Sequence, residues 1–240
     1  MYNLPDERIK FIHNGASTIG LSKKVLDNNP KGKFILYIGR INKMKNIKNL
    51  LKAFSLIGDK VEHKLIIVGD NETTLQTEMK HAGLSAEIKK RVIFKQDIDE
   101  ESKCALMKNA SLLVFASLYE GFGLPPLEAM ACGCPVIVSD NSSLPEVCGE
   151  AAYYVNPQNP QDISDAIITV LNDNTLRNEL INIGLERAKQ FNWTNSATEH
   201  LNVLEHVIKH SSMPLEKKLN KFLPIFEEKI STIRLEGRNS

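Results

Sequence analysis

Residues 112–138 read LLVFASLYEGFGLPPLEAMACGCPVIV, and this stretch decides the fold. Its two apolar runs, 112–115 and 135–138, have the length of buried strands. Between them lie a glycine-rich loop and a predicted helix over 125–131, in which proline is tolerated because the first-turn N–H has no partner within the helix. The order strand, helix, strand predicts two parallel strands joined by a helical crossover.

The same alternation continues along most of the 240-residue chain. Further apolar runs predict strands, and the segments between them carry apolar residues at helical spacing. The predicted strands are 34–38, 65–68 and 92–94, and the predicted helical segments are 46–57, 73–82, 100–109 and 162–191. Strands that are apolar throughout are typical of a parallel sheet covered on both faces. We therefore predict an α/β fold, a doubly wound, Rossmann-like parallel sheet, over residues 31–192.

The two ends of the chain stand apart from this pattern. Residues 1–30 end in the polar stretch Asn28-Asn29-Pro30, and we interpret them as a linker. Residues 211–240 mix apolar residues with many Lys and Glu, and we interpret them as a tail.

Composition and charge argue against several classes of protein. The formal net charge is +1, from 30 basic and 29 acidic residues, which gives no case for nucleic-acid binding. None of the four cysteines lies at CxxC or zinc-finger spacing, so we expect free thiols and no metal site. No apolar stretch is long enough to span a membrane, and the N-terminus lacks the apolar core of a signal peptide. We expect a cytoplasmic protein without a transmembrane segment.

The glycine-rich loop carries the strongest chemical signal. Backbone N–H groups over 121–124 can converge on an anion, and the helix that follows adds its dipole and its free N–H groups. Glu120 precedes this loop and Glu128 lies one turn inside the helix. Both carboxylates suit pairs of sugar hydroxyls. Alternatively, they are a surface carboxylate and a helix N-terminal carboxylate stabilised by the dipole.

A basic segment follows the predicted strand 34–38. It contains Gly39, Arg40, Lys43 and Lys45 at the sheet edge where ligands of such folds bind. Arginine offers a planar fork for phosphate oxygens and lysine a point charge, so two cations can neutralise a diphosphate without a metal. The alternative is a solvated basic loop. A further loop over 138–146 either closes over a bound sugar or only connects two elements.

Together these residues resemble one family, the retaining GT-B glycosyltransferases of glycosyltransferase group 1, also called family four. The resemblance runs from His13 to Trp193 and implies the C-terminal domain of the GT-B fold. It rests above all on the Glu-x7-Glu motif that contains Glu-Gly-Phe-Gly-Leu. It also includes Asn14-Gly15, Tyr-Ile-Gly-Arg, Lys45-Asn46, Ile-Val-Gly-Asp and Leu-Pro-Glu-Val, in this order along the chain.

The resemblance implies a role for each matching residue. Arg40 and Lys45 would hold the donor diphosphate and stabilise the departing nucleotide, and Glu120 would contact the transferred sugar; these three are the implied catalytic residues. The implied donor-binding residues are Gly39, Phe122, Gly123, Leu124 and Glu128, the last of which would bind the ribose hydroxyls. The base would lie near the end of the predicted strand 92–94. The family needs no metal or other cofactor, and the acceptor is thought to attack from the leaving-group side, with retention.

The resemblance also implies a second, acceptor-binding domain before the linker, and a helix over 193–210 that crosses back onto it. Three explanations stay open for the acceptor domain: this chain is a truncated or split gene product, it is a cloned domain, or a separate polypeptide supplies the other half. The expected partners are a nucleotide-sugar donor, this acceptor domain and no nucleic acid, with peripheral contact at the inner face of the membrane. The alternative function is a non-catalytic nucleotide-sugar-binding module or a truncated remnant. The motifs of sugar-nucleotide epimerases match poorly. An NAD enzyme is disfavoured because no G-x-G-x-x-G follows an early strand.

Overall fold

The structure, a computed structural model, describes residues 9–16 and 33–210. The predicted tail and the predicted linker, apart from 9–16, lie outside the described residues. The chain divides into two compact units, one formed by residues 14–193 and the other by residues 1–13 together with 194–240. The predicted boundaries at 30 and 192 stay predictions.

The described residues of the 14–193 unit form a six-stranded parallel sheet, which confirms the predicted fold class. Its strands are β1 (Phe34–Ile38), β2 (Lys64–Val68), β3 (Val92–Lys95), β4 (Leu112–Phe115), β5 (Val136–Ser139) and β6 (Ala152–Val155). Their order across the sheet is β3-β2-β1-β4-β5-β6. Phe34 lies opposite Lys64 in the register of β1 with β2, and Leu113 lies opposite Val136 in that of β4 with β5. All residues of β1, β4 and β5 are buried, as expected for strands covered on both faces.

Helices connect successive strands and cover the sheet. They are α1 (Ile47–Leu56), α2 (Glu72–His81), α3 (Ala86–Lys89), α4 (Glu100–Asn109), α5 (Leu124–Ala131), α6 (Leu144–Cys148), α7 (Pro160–Asn172) and α8 (Asn174–Lys189). Helix α1 packs against α2 and α7, whereas α5 packs against α4 and α8. The chain leaves β1 in one direction along the sheet and β4 in the other. Right-handed crossovers therefore place the helices around α1 and the helices around α5 on opposite faces of the sheet.

Most predicted elements of the sheet agree with the structure to within one residue, but the C-terminal part differs. The sequence pattern ended the sheet at 135–138 and missed β6. Among the described strands, this sixth strand pairs only with β5. Its Tyr153 and Tyr154 are half-buried, so it lacks the fully apolar run of a central strand. The single helical segment predicted over 162–191 is two helices, because Asp173 ends α7 and its carboxylate caps the start of α8. The short helices α3 and α6 were also missed.

A last helix, α9 (Trp193–His210), belongs mainly to the second unit. Within that unit the Lys10 ammonium lies 3.5 Å from the Glu199 carboxylate. Leu201 and Val207 of α9 are exposed. The crossing role expected of this helix stays a prediction.

Candidate functional site

The predicted site residues follow two neighbouring strands, β1 and β4. These are the strands from which the chain departs in opposite directions, and doubly wound sheets bind their ligands outside the carboxyl ends of such strands. The loop 39–46 follows β1 and the loop 116–123 follows β4. The two loops meet directly, since the Leu118 N–H donates to the Met44 carbonyl at 2.8 Å.

The backbone of the β1 loop is held from three sides. The Gly39 N–H donates to the Val68 carbonyl at 3.0 Å, and the Ile41 N–H donates to Asp70 Oδ1 at 2.8 Å. The Tyr37 hydroxyl donates to the Arg40 carbonyl at 2.9 Å. Asp70 therefore joins the ends of β1 and β2. The Arg40 backbone is fixed while its guanidinium is exposed, and none of the described residues forms a hydrogen bond or ion pair with that guanidinium.

Tyr37 is a fixed neutral donor beneath this loop. Burial strongly raises the pKa of its hydroxyl, and the nearby Glu120 and Asp70 carboxylates raise it further. The same hydroxyl explains the glycine that follows. Gly39 has a φ of +156°, and a Cβ there would lie 2.9 Å from Tyr37 Oη. The close approach of the Tyr37 phenol therefore requires glycine at position 39.

Lys45 and Glu120 form an ion pair across the two loops. The Lys45 ammonium lies 2.6 Å from one carboxylate oxygen of Glu120 and 2.7 Å from the other. It also lies 5.4 Å from the ring centroid of Phe115, at the end of β4. An ammonium has three N–H groups, so a contact to both oxygens of Glu120 leaves one for another acceptor. The structure therefore brings together the predicted phosphate ligand and the predicted sugar ligand.

Asn46 positions Lys45, and sequence reasoning assigned it no role of its own. Its side-chain amide is buried and donates to the carbonyls of Ala116, at 2.8 Å, and Pro157, at 2.7 Å. Its backbone is left-handed, with a φ of 59°, a conformation that asparagine tolerates better than most residues. Asn46 thereby ties the start of α1 to the loops after β4 and β6. The sequence feature that could have indicated this role is a polar residue directly before an apolar helix.

The glycine-rich loop rests on the segment 141–143. The Glu120 N–H donates to Ser142 Oγ at 3.1 Å, and the Ser143 hydroxyl lies 3.0 Å and 2.9 Å from the carbonyls of Glu120 and Phe122. The Asn141 amide donates to the Leu118 carbonyl at 3.2 Å. The loop predicted over 138–146 thus supports the glycine-rich loop, a role that neither sequence-based alternative included.

The start of α5 offers fewer donors than the sequence argument assumed. Gly123 is the N-cap, with a φ of 113°, and Leu124 is the first helical residue. The next two residues are prolines, which carry no N–H. Of the four N–H groups that normally lack a partner at a helix start, only those of Gly123 and Leu124 exist here. Two adjacent N–H groups can converge on one anion.

Glu128 lies on α5, one turn after Leu124, and pairs with Lys103 of α4. The Lys103 ammonium lies 3.3 Å and 3.2 Å from the two oxygens of Glu128, and 2.7 Å from the Glu100 carboxylate. Burial raises the pKa of Glu128, and Lys103 offsets only part of this rise. Burial lowers the pKa of Lys103, but its two carboxylate partners outweigh burial, so the net shift is upward. Sequence reasoning missed Lys103, because nothing local marks it.

A second concave region lies beside the β1 loop. It is a half-open groove of about 420 Å³, and Lys43, Lys48 and Lys52 line it together with polar residues of α1 and α2. Arg40, Lys45 and the residues predicted between 120 and 128 do not line it. The groove therefore adjoins the loops after β1 and β4, through Asn46 and Leu118, without including the predicted catalytic and donor-binding residues.

Two further features are absent from residues 9–16 and 33–210. No group of three or more His, Cys, Asp or Glu side chains is placed to hold a metal ion. None of the helices there is both long and apolar enough to cross a membrane. Independence of a metal stays a prediction.

Comparisons with known proteins point to one family. The sequence model described as "Glycosyl transferases group 1" matches residues 19–187. O-antigen chain mannosyltransferase B of Escherichia coli is 35% identical over 173 residues, which are 70% of this chain and 45% of that protein. The chain spans about half the length of the curated relatives it matches.

Two solved structures extend the likeness to the fold. Sucrose-phosphate synthase from Thermosynechococcus elongatus has a TM-score of 0.67 at 28% identity, covering 77% of this chain and 48% of that one. The C-terminal domain of a glycosyl transferase group 1 family protein from Francisella tularensis has a TM-score of 0.57 at 29% identity, covering 66% of this chain and 86% of that one. With a match over most of the sheet and over both loops of the site, this chain belongs to the glycosyl transferases of group 1.

Proposed function

We propose that this chain is the donor-binding domain of a retaining hexosyltransferase. It binds a nucleoside-diphosphate-sugar and, together with an acceptor-binding domain, transfers the hexose to an acceptor hydroxyl. One observation carries the proposal: Lys45 is held on Glu120 at the junction of the β1 and β4 loops, with one N–H left for another acceptor. The exposed Arg40 guanidinium leaves the same β1 loop.

The cations act on the leaving diphosphate. As the bond from the anomeric carbon to the diphosphate breaks, negative charge grows on the phosphate oxygens and positive charge on the sugar. Arg40 and Lys45 stabilise that growing charge more than the ground state, which is what lowers a barrier. The N–H groups of Gly123 and Leu124 add neutral donors to the same anion.

Glu120 serves as a hydrogen-bond acceptor for sugar hydroxyls. Both of its oxygens already face the Lys45 ammonium, which fixes the carboxylate and lowers its nucleophilicity. Retention then follows from attack of the acceptor on the face that the diphosphate leaves. This geometry does not need the pair of flanking carboxylates used by retaining glycosidases.

Glu128 binds the ribose hydroxyls of the donor nucleotide. Its partner Lys103 is also paired with Glu100. The charge of Lys103 therefore stays balanced when one oxygen of Glu128 rotates away to accept from a ribose hydroxyl. Burial raises the pKa of Glu128. The same burial makes the ionised carboxylate a better acceptor, because a desolvated charge gains more from each hydrogen bond.

The setting of the reaction belongs to the same proposal. An O-antigen chain mannosyltransferase among the relatives supports a role in polysaccharide biosynthesis. The acceptor domain is part of a longer polypeptide or a separate chain, and the reaction takes place in the cytoplasm at the inner face of the membrane. The bound donor needs no metal, since two cations offset the diphosphate charge.

Calorimetry with a panel of nucleoside-diphosphate-sugars, with and without EDTA, tests the donor site. We expect binding that EDTA leaves unchanged and that Arg40→Ala weakens by about 1.5–3 kcal/mol, the value of a hydrogen bond between charged groups. The matched control is Lys60→Ala, which removes one positive charge from an exposed turn before β2. An equal loss in both variants would remove Arg40 from the site.

A non-catalytic nucleotide-sugar-binding module is the competing function, and the transferases among the relatives disfavour it. Both functions predict binding of the donor. Only the transferase predicts that adding an acceptor-binding domain to this chain produces a glycosylated product with the donor's anomeric configuration.

A further inference from the structure

Two half-buried thiols face each other between α4 and α5. Cys104 Sγ lies 3.2 Å from Cys132 Sγ. The two sulfur atoms of a disulfide are about 2.05 Å apart, so an approach of about 1 Å would join them. The other two cysteines, Cys134 and Cys148, are buried and lie outside this contact.

The thiol contact lies next to the ion pair of the candidate site. Cys104 directly follows Lys103 on α4, and Cys132 ends α5 four residues after Glu128. The contact between Lys103 and Glu128 and the contact between Cys104 and Cys132 are therefore neighbouring links between the same two helices. A covalent bond at one link restricts the other.

We propose that Cys104 and Cys132 form a redox modification site, in which a hydroperoxide oxidises the two thiols to a disulfide that locks α4 onto α5. The disulfide holds Lys103 against Glu128, so Glu128 is less available to the nucleotide. This second statement rests on the proposed function, whereas formation of the disulfide does not.

The chemistry balances with hydrogen peroxide as the oxidant. The Cys104 thiolate attacks one peroxide oxygen, the O–O bond breaks, and the products are a sulfenic acid and hydroxide, which takes up the thiol proton to give water. The Cys132 sulfur then displaces the sulfenic hydroxyl, which leaves as a second water with the Cys132 proton. Two thiols lose two electrons in total, and the peroxide gains them.

The attacking and resolving roles are interchangeable, because the two thiols are in direct contact. Burial raises the pKa of Cys132, and the adjacent Cys104 thiol raises it further. Burial raises the pKa of Cys134 and of Cys148 to about 12. These two cysteines are also buried and lie outside the contact between Cys104 and Cys132, so they do not compete for the oxidant.

The test oxidises this chain with hydrogen peroxide and follows three readouts. Peptide mass spectrometry without reductant should show Cys104 linked to Cys132 with the loss of two hydrogens. The melting temperature should rise by about 5–10 °C, because the bond closes a loop of 28 residues in the unfolded chain. Both changes should reverse with dithiothreitol and be absent in Cys104→Ser and in Cys132→Ser. The two serine variants check each other against a folding defect.

The third readout is calorimetric binding of a nucleoside diphosphate to the reduced and the oxidised chain. We expect the Kd to rise several-fold on oxidation in the native sequence and to stay constant in both serine variants. Oxidation of single thiols without a cross-link would overturn the modification site. A cross-link with an unchanged Kd would overturn its effect on Glu128. If the reduced chain bound no nucleoside diphosphate, the proposed function would fail, while the mass and melting readouts would still decide the disulfide.

Discussion

Replacing Lys45 with methionine should destabilise the fold, because it leaves the Glu120 carboxylate without its cation. The Glu120 side chain is 9% exposed and the Lys45 side chain 22%, so the pair is shielded from water on most sides. Two unit charges at about 4 Å interact by about 4 kcal/mol at the effective dielectric constant of a protein surface. Removing one partner of a fully buried pair costs about 3–5 kcal/mol. Since solvent still reaches the ammonium, we expect a loss of about 2–4 kcal/mol at pH 7.

Urea denaturation of the native chain, Lys45→Met, Glu120→Gln and the double variant measures this energy as a double-mutant cycle. Glu120→Gln alone should cost less, about 1–2 kcal/mol, because the more exposed ammonium can be hydrated. The double variant should recover at least about 1 kcal/mol relative to the sum of the single variants.

The matched control is the exposed pair of Lys189 and Glu186, whose atoms lie 2.5 Å apart and whose side chains are 69% and 71% exposed. Lys189→Met should cost less than about 1 kcal/mol despite the equally short contact. If Lys45→Met cost no more than Lys189→Met, or if the cycle were additive, burial of the pair at the site would not contribute to stability. Lys45 would then not be what fixes the Glu120 carboxylate.

Glu128→Gln should keep or slightly raise the melting temperature at pH 7 while weakening donor binding at least about tenfold. Burial raises the pKa of Glu128 in the folded state, so the ionised carboxylate lowers stability at neutral pH, and this loss should vanish as the pH falls below the pKa of Glu128 in the unfolded chain. Melting curves of the native chain and the variant from about pH 7 to about pH 4 would show the difference. Gly123→Ala should lower the free energy of unfolding by about 1–3 kcal/mol, because the φ of Gly123 is +113° and a Cβ would lie 2.7 Å from Leu144. The control Gly121→Ala should fold normally, because a Cβ there would have no atom within 4 Å. Equal melting temperatures of the two variants would contradict this. Burial lowers the pKa of His63, so below about pH 6.5 the unfolded chain binds more protons than the folded one and the free energy of unfolding should fall with pH. His63→Gln should flatten this dependence on pH in denaturant titrations. An unchanged dependence would assign it to other groups.

The sequence by itself determined the succession of strands and helices in the central sheet. The bounds of β1, β4 and α4 agree with the prediction, because runs of apolar residues and helical spacing are local properties. The edge strand β6 was missed because its half-buried tyrosines give no such local signal. The sequence also placed the candidate residues after β1 and β4, because ligands of doubly wound sheets bind at the carboxyl ends of strands; their roles stay predictions.

Only the tertiary structure decided which of the predicted residues meet. Lys45 and Glu120 are 75 residues apart in the chain, and they pair because the sheet order places β1 beside β4. The partner of Glu128 is Lys103, on the next helix of the same face, and no feature of the motif indicated it. Hydrogen bonds and ion pairs between distant segments depend on how elements are ordered in space. That order is a property of the whole fold, so local patterns in the sequence do not contain it.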